Sequence, residues 1–270
     1  MFGDGRSEAD HKDIRRRRSR YGSIVDELVS ESAQPHDQSV PLFGRRDEVR
    51  TLTSALCARK SCLVLGPKGM GKTRLLQESL TIARQPYVSV EGPEVLHQLL
   101  VELAERLSCP AGRFGSVRNA TSVALKPSVL EALRRLPRCL VLEDFVDADP
   151  RMYRFLQQVY YLPAVSLIVT AASRDCLGHL RKLLWDPREE LALKPLGRQE
   201  AFNLFDVASR MNQLQSFDLD AFRSKVLTAA QGNPGQILTM CRMASRPEYQ
   251  DGRHIKFPPL RIDALTAFVQ

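Results

Sequence analysis

The chain has 270 residues, 43% of them hydrophobic, which is enough for one sizeable core and a small accessory domain. No apolar run approaches the ~20 residues a membrane helix needs, and the N-terminus is polar and charged rather than a secretory leader, so a cytoplasmic protein with no membrane partner is expected. The net charge of +8 favours an acidic partner, most commonly nucleic acid. The six cysteines form no C-x-x-C pair and the five histidines are scattered, so reduced thiols are expected in place of a zinc site or a disulfide framework.

In chain order, residues 1–38 are rich in charge, Ser, Gln and Asp and read as a flexible basic arm. Lys12 to Arg20 holds most of its arginines; a solvated tail and an arm for nucleic acid or another acidic surface both fit that run. Ile24 to Val29 is a short amphipathic patch. Val49, Leu52 and Leu56 then recur at helical spacing.

Cys62-Leu63-Val64-Leu65 reads as a buried strand, and a helix-competent run extends from Arg74 to Arg84. Between them stands Gly66-Pro67-Lys68-Gly69-Met70-Gly71-Lys72-Thr73, which is G-x-x-x-x-G-K-T. In strand–loop–helix context that pattern is a phosphate-binding P-loop. The glycines let backbone N–H groups curl around a phosphate chain, Lys72 can reach the β- and γ-phosphates, and the Thr73 hydroxyl can ligate Mg²⁺.

Tyr87 to Val90 predicts a second strand, and Pro93 a helix start, followed by an apolar face through Leu107. Residues 108–123 read as a loop, and a helix is expected over 127–136. Cys139 to Asp144 is a strand ending in two acids. Asp149-Pro150 opens a helix to Leu162, Val165 to Thr170 is a strand, a short helix is expected over 176–184, and Glu190 to Leu193 is the last strand. Strands alternating with helices imply a parallel sheet covered on both faces, residues 39–196. Helical segments at 198–210, 217–230 and 235–244 follow, with no strand between them, so 197–246 reads as a small helical lid and 247–270 as a tail around Pro258-Pro259.

Carboxylates ending a buried strand are costly without a cationic partner, and Mg²⁺ on a nucleotide supplies one. On that reading Glu143 holds the metal and Asp144 orients or deprotonates water; a pair of helix-capping acids is the alternative. Arg174 follows a strand's C-terminal end, the ligand edge of an open parallel sheet, and is a candidate to stabilise a transferring phosphoryl group, or else an ordinary loop arginine. Arg188 fits either a group acting in trans on a neighbour's nucleotide or a surface salt bridge.

Taken together these stretches resemble the AAA+ and STAND superfamilies of P-loop ATPases, most of all the AAA-type ATPase domain of bacterial signalling ATPases and origin-recognition-like proteins, over about residues 39–245. Phe43-Gly44-Arg45-x-x-Glu48 is similar to the family's G-R-x-x-E entry motif, which implies that Leu42 and Phe43 line the adenine pocket. Gly66 to Arg74 is similar to its P-loop with a closing arginine. Leu142-Glu143-Asp144 with Asp149-Pro150 resembles its acidic strand end, and Thr170 with Ser173-Arg174 its sensor turn. Gly232-Asn233-Pro234 resembles its lid motif, which implies that Pro234 touches adenine. Gly235-Gln236 stands where initiator-type relatives often carry an arginine.

The resemblance implies an α/β P-loop NTPase with a helical lid, ATP and Mg²⁺ as cofactors, and slow hydrolysis to ADP. It further implies a nucleotide-dependent conformational switch that assembles, as a homo-oligomer, on double-stranded DNA through the basic surface and N-terminal arm. A signalling or scaffold ATPase that recruits protein partners without DNA is the alternative.

Overall fold

A computed structural model describes residues 41–110, 115–135 and 138–269, all within one compact unit. The basic arm and the Ile24–Val29 patch lie outside the described residues. Helix α1 (Arg46–Cys57) leads into a five-stranded parallel sheet of β1 (Cys62–Leu65), β2 (Tyr87–Glu91), β3 (Arg138–Glu143), β4 (Val165–Ala171) and β5 (Glu190–Ala192). The strand order is β2-β3-β4-β1-β5, so β4 separates the strand that feeds the P-loop from the strand that ends in acids.

Both faces of this sheet are covered, which is why β1 and β4 are buried along their length rather than alternating. Leu63, Leu140 and Leu167 pack with α3 (Leu96–Arg106), α4 (Ser122–Arg135) and α5 (Pro150–Tyr160). Val64, Val141 and Ile168 pack with α1 and α2 (Lys72–Ala83) on the other side. Asp149 caps α5 by accepting the Met152 N–H at 2.6 Å, with Pro150 in the first turn.

Local expectations needed correction in four places. Helix α3 opens at Leu96, later than Pro93, with extended Val95 as its N-cap. Helix α4 begins at Ser122, before the expected 127, and contains Pro127. The hydrogen bond that proline forgoes is to the first turn, where Val123 is exposed and water can satisfy the carbonyl.

The helix expected over 176–184 is instead two 3-10 turns, Arg174–Leu177 and His179–Lys182. Gly178 divides them, with φ 52°; a Cβ there would lie 2.1 Å from Asp147 Oδ1. The chain is pinned at this point, since Asp147 N–H donates to the Cys176 carbonyl at 2.6 Å and Ala148 bridges Gly178.

The lid comprises α6 (Arg198–Met211), α7 (Leu219–Ala230) and α8 (Pro234–Ala244). The segment read as a tail adds a hairpin, β6 (Gln250–Asp251) and β7 (His254–Ile255), and a helix, α9 (Phe257–Val269). Pro258 and Pro259 lie in the first turn of α9, where amide hydrogens have no intrahelical partner to lose. Leu260 and Ala264 of α9 join Phe205, Phe222, Val226 and Ile237 in a core of the lid's own. Tyr249 donates to Asp263 Oδ2 at 2.7 Å, and that carboxylate pushes its phenol up to about 12. No helix among the described residues is long and apolar enough to cross a membrane.

Candidate nucleotide site

Gly66 to Thr73 joins β1 to α2. Gly69 and Gly71 take φ of 82° and 87°, a left-handed backbone that side chains resist, and a Cβ on Gly71 would meet nothing, so backbone angle rather than crowding requires glycine there. The loop starts against β4, where Gly66 N–H donates to the Ala171 carbonyl at 3.1 Å. Lys72 is buried, and its Nζ donates to the Gly66 carbonyl at 2.9 Å and pairs with Asp144 Oδ1 at 3.0 Å.

The loop's other carbonyls are gripped from outside. The Lys68 carbonyl accepts Asn233 Nδ2 at 3.0 Å, the Gly69 carbonyl accepts Gly235 N–H at 2.9 Å, and the Met70 carbonyl accepts Arg45 Nη2 at 3.4 Å. In a trans peptide C=O and the next N–H point in opposite directions, so these bonds turn the Gly69 and Gly71 amides toward the loop's interior. An interior of glycine amides beside a buried ammonium, at the start of a helix, is a donor set suited to a polyphosphate.

The two acids are held differently. Glu143 ends β3, and its Oε1 accepts the Ser89 hydroxyl of β2 at 2.6 Å. Asp144 takes φ 42°. Its N–H donates to Thr170 Oγ1 at 2.9 Å, and the next amide, Phe145 N–H, donates to the Thr170 carbonyl at 2.8 Å. Thr170 is fully buried at the end of β4, so the intervening strand bends the acidic loop back toward Lys72.

Leu42 packs on the α1–α2 core and Phe43 on the lid core, which puts the entry segment at the junction of the two. Two glycines make the junction tight. A Cβ on Gly44 (φ 61°) would lie 2.8 Å from Glu200, and one on Gly232 (φ 79°) would lie 2.6 Å from the Leu196 carbonyl. Pro234 occupies the first turn of α8, beside the Gly235 amide that bonds the loop. Thr73 and Arg74 lie in the first turn of α2.

Arg174 and Arg188 each pair with an acid of the chain. Arg174 Nε donates to Glu190 Oε2 at 2.8 Å, and its Nη2 donates to the carbonyls of Leu184 and Trp185 at 3.0 and 3.3 Å. Glu190 aligns with Leu63, two residues short of the end of β1, so the guanidinium is anchored below the ligand edge. Arg188 is exposed and chelates Asp186, with Nη2 2.8 Å from Oδ2; this pairing holds the Asp186 carboxyl below its usual range. The sequence reading did not single out Arg45, Ser89 or Asn233. Arg45 stands in the entry motif, and the Asn-Pro step before α8 is a helix-start signal, but their partners are distant in sequence.

A P-loop after β1, acids at the end of β3 and a helical lid bonded to the loop define a P-loop ATPase of the AAA+ class. The AAA ATPase domain profile matches residues 41–184, and the chain belongs to that family. No curated protein sequence matches it. Among solved structures, it is similar to the Orc1 protein of Aeropyrum pernix in complex with DNA, with TM-score 0.62 and 17% identity over 89% of this chain and 68% of that one. The Walker-type ATPase of Pyrococcus abyssi is similar with TM-score 0.55 and 16% identity, over 89% and 75% of the two chains. A STAND protein with a tetratricopeptide repeat sensor from Pyrococcus horikoshii is similar with TM-score 0.50 and 18% identity, covering 87% of this chain and 34% of that one. At such identities the likeness is one of fold.

Proposed function

We propose that the protein binds ATP with Mg²⁺, hydrolyses it slowly, and uses the cycle to change the contact between sheet domain and lid, assembling as a homo-oligomer on double-stranded DNA. The carrying observation is that buried Lys72, the acid Asp144 and the lid turn at Asn233–Gly235 all converge on one P-loop.

In this reading Gly66 to Arg74 hold the phosphates, and Leu42, Phe43 and Pro234 hold the base. Thr73 and Glu143 hold Mg²⁺, whose charge offsets that of the phosphates when bound. Lys72 moves from Asp144 to the phosphate chain, which frees Asp144 to orient water or take its proton. Arg174 stays with Glu190 and braces the turns after β4, and Arg188 is exposed enough to serve a neighbouring protomer's nucleotide. The net charge of +8 supports a DNA partner, as does likeness to a protein solved in complex with DNA.

The test pairs two variants with a sizing measurement. Lys72→Ala loses ATP binding. Asp144→Asn keeps binding, and turnover falls about 10²–10⁴-fold, the range for losing an acid–base group. With a slowly hydrolysed ATP analogue, light scattering detects assembly only when duplex DNA is present. Normal ATP affinity in Lys72→Ala overturns the site; assembly and turnover indifferent to DNA overturn the DNA partner.

A further inference from the structure

We infer that Asn233 is a positioning residue for phosphate, acting through the P-loop backbone rather than through the base. Both ends of its amide are used. Oδ1 accepts the Gln236 N–H at 3.2 Å and caps α8, while Nδ2 donates to the Lys68 carbonyl at 3.0 Å. Next to it Gly235 N–H, an amide that a helix's first turn leaves without an internal partner, donates to the Gly69 carbonyl. Two consecutive P-loop carbonyls are therefore held by one turn of the lid, and the third by Arg45.

The consequence follows from the peptide plane. Fixing the Lys68 and Gly69 carbonyls outward fixes the Gly69 and Met70 amides on the opposite side. Met70 N–H is used by the Pro67 carbonyl at 3.2 Å, which closes the turn. Gly69 has no side chain to resist another conformation, so without the grip the cradle would have to be ordered when phosphate arrives. The lid thus sets the shape of the phosphate cradle. By reciprocity a filled cradle holds the lid, and this coupling needs no contact with adenine. It is separate from any contact between Pro234 and the base, and rests on the phosphate-binding reading of the loop.

The variant that isolates the contact is Asn233→Ser. Serine caps a helix as well as asparagine, but its hydroxyl stops short of the Lys68 carbonyl. The full chain is titrated with ATP and with inorganic tripolyphosphate, and amide hydrogen exchange over residues 66–72 is read without ligand. We expect affinity for both ligands to fall by the same factor, about threefold to tenfold, the equivalent of one neutral hydrogen bond. Exchange at Met70, whose N–H closes the turn on the Pro67 carbonyl, accelerates, while α8 keeps its protection. Weakened ATP binding with unchanged tripolyphosphate binding would assign Asn233 to the base, and unchanged exchange at 66–72 would remove the clasp; either overturns the inference. If the wild-type chain binds neither ligand, the phosphate reading itself fails, and the exchange comparison still decides whether the clasp orders the loop.

Discussion

At the scale of single residues, the site is governed by which carboxylate or carbonyl each cation finds. Lys72 is buried and would be costly without its partners, Asp144 and the Gly66 carbonyl. Asp144 is brought to it by a left-handed backbone that Thr170 holds with hydroxyl and carbonyl together. Arg174 is committed to Glu190 and two carbonyls, a partly buried arrangement with the character of a strut between the post-β4 turns and β5. Arg174→Ala should therefore lower stability by about 1.5–3 kcal/mol, the usual worth of charged hydrogen bonds, and leave turnover per folded molecule within threefold. Denaturant melts beside active-site-normalised kinetics check this; lost turnover with unchanged stability would return Arg174 to the phosphoryl group. The P-loop glycines and Lys72 stand in one short motif and were legible in the sequence. Arg174 was not, because Glu190 lies on another strand, and the residue type fits strut and sensor equally.

At the scale of elements, the strands and most helices could be read because both faces of the sheet are covered and the lid helices keep one apolar stripe each. Three misreadings share a cause, namely that a proline or glycine was judged without its neighbours. Pro127 is tolerated because the carbonyl it deprives is exposed, Pro258 and Pro259 because they open a helix, and Gly178 divides two turns because Asp147 leaves no room for a side chain. The junction turn gives the clearest prediction at this scale. Gly232→Ala combines φ 79° with a Cβ driven against the Leu196 carbonyl, and Leu196 N–H donates to the Gly232 carbonyl at 2.8 Å, so the two segments of the junction must separate. We expect a loss of about 1–3 kcal/mol from backbone strain, together with weaker nucleotide binding, since Asn233 and Gly235 move with the turn. Isothermal titration and chemical denaturation of the same variant test both; unchanged affinity would show that the junction and the P-loop are not linked.

At the scale of the whole molecule, the Asn233–Lys68 bond joins residues 165 apart in sequence, a distance over which no pattern in the chain announces a partner. The basic balance and the AAA-type motifs could be read in advance, but which surface meets DNA could not, because net charge carries no address. The two sides of the sheet share strands β1, β3 and β4, whereas the lid core of α6 to α9 shares none of them. Such a molecule has two hydrophobic nuclei whose melting need not coincide. In calorimetry the free protein should show a calorimetric enthalpy larger than its van't Hoff enthalpy, with the lid nucleus leaving first; equality of the two would mean one cooperative unit. A ligand that bonds both nuclei adds its binding free energy to the earlier transition. The excess should then shrink as ATP is added, so that the cooperativity of unfolding itself becomes a measure of how full the P-loop is.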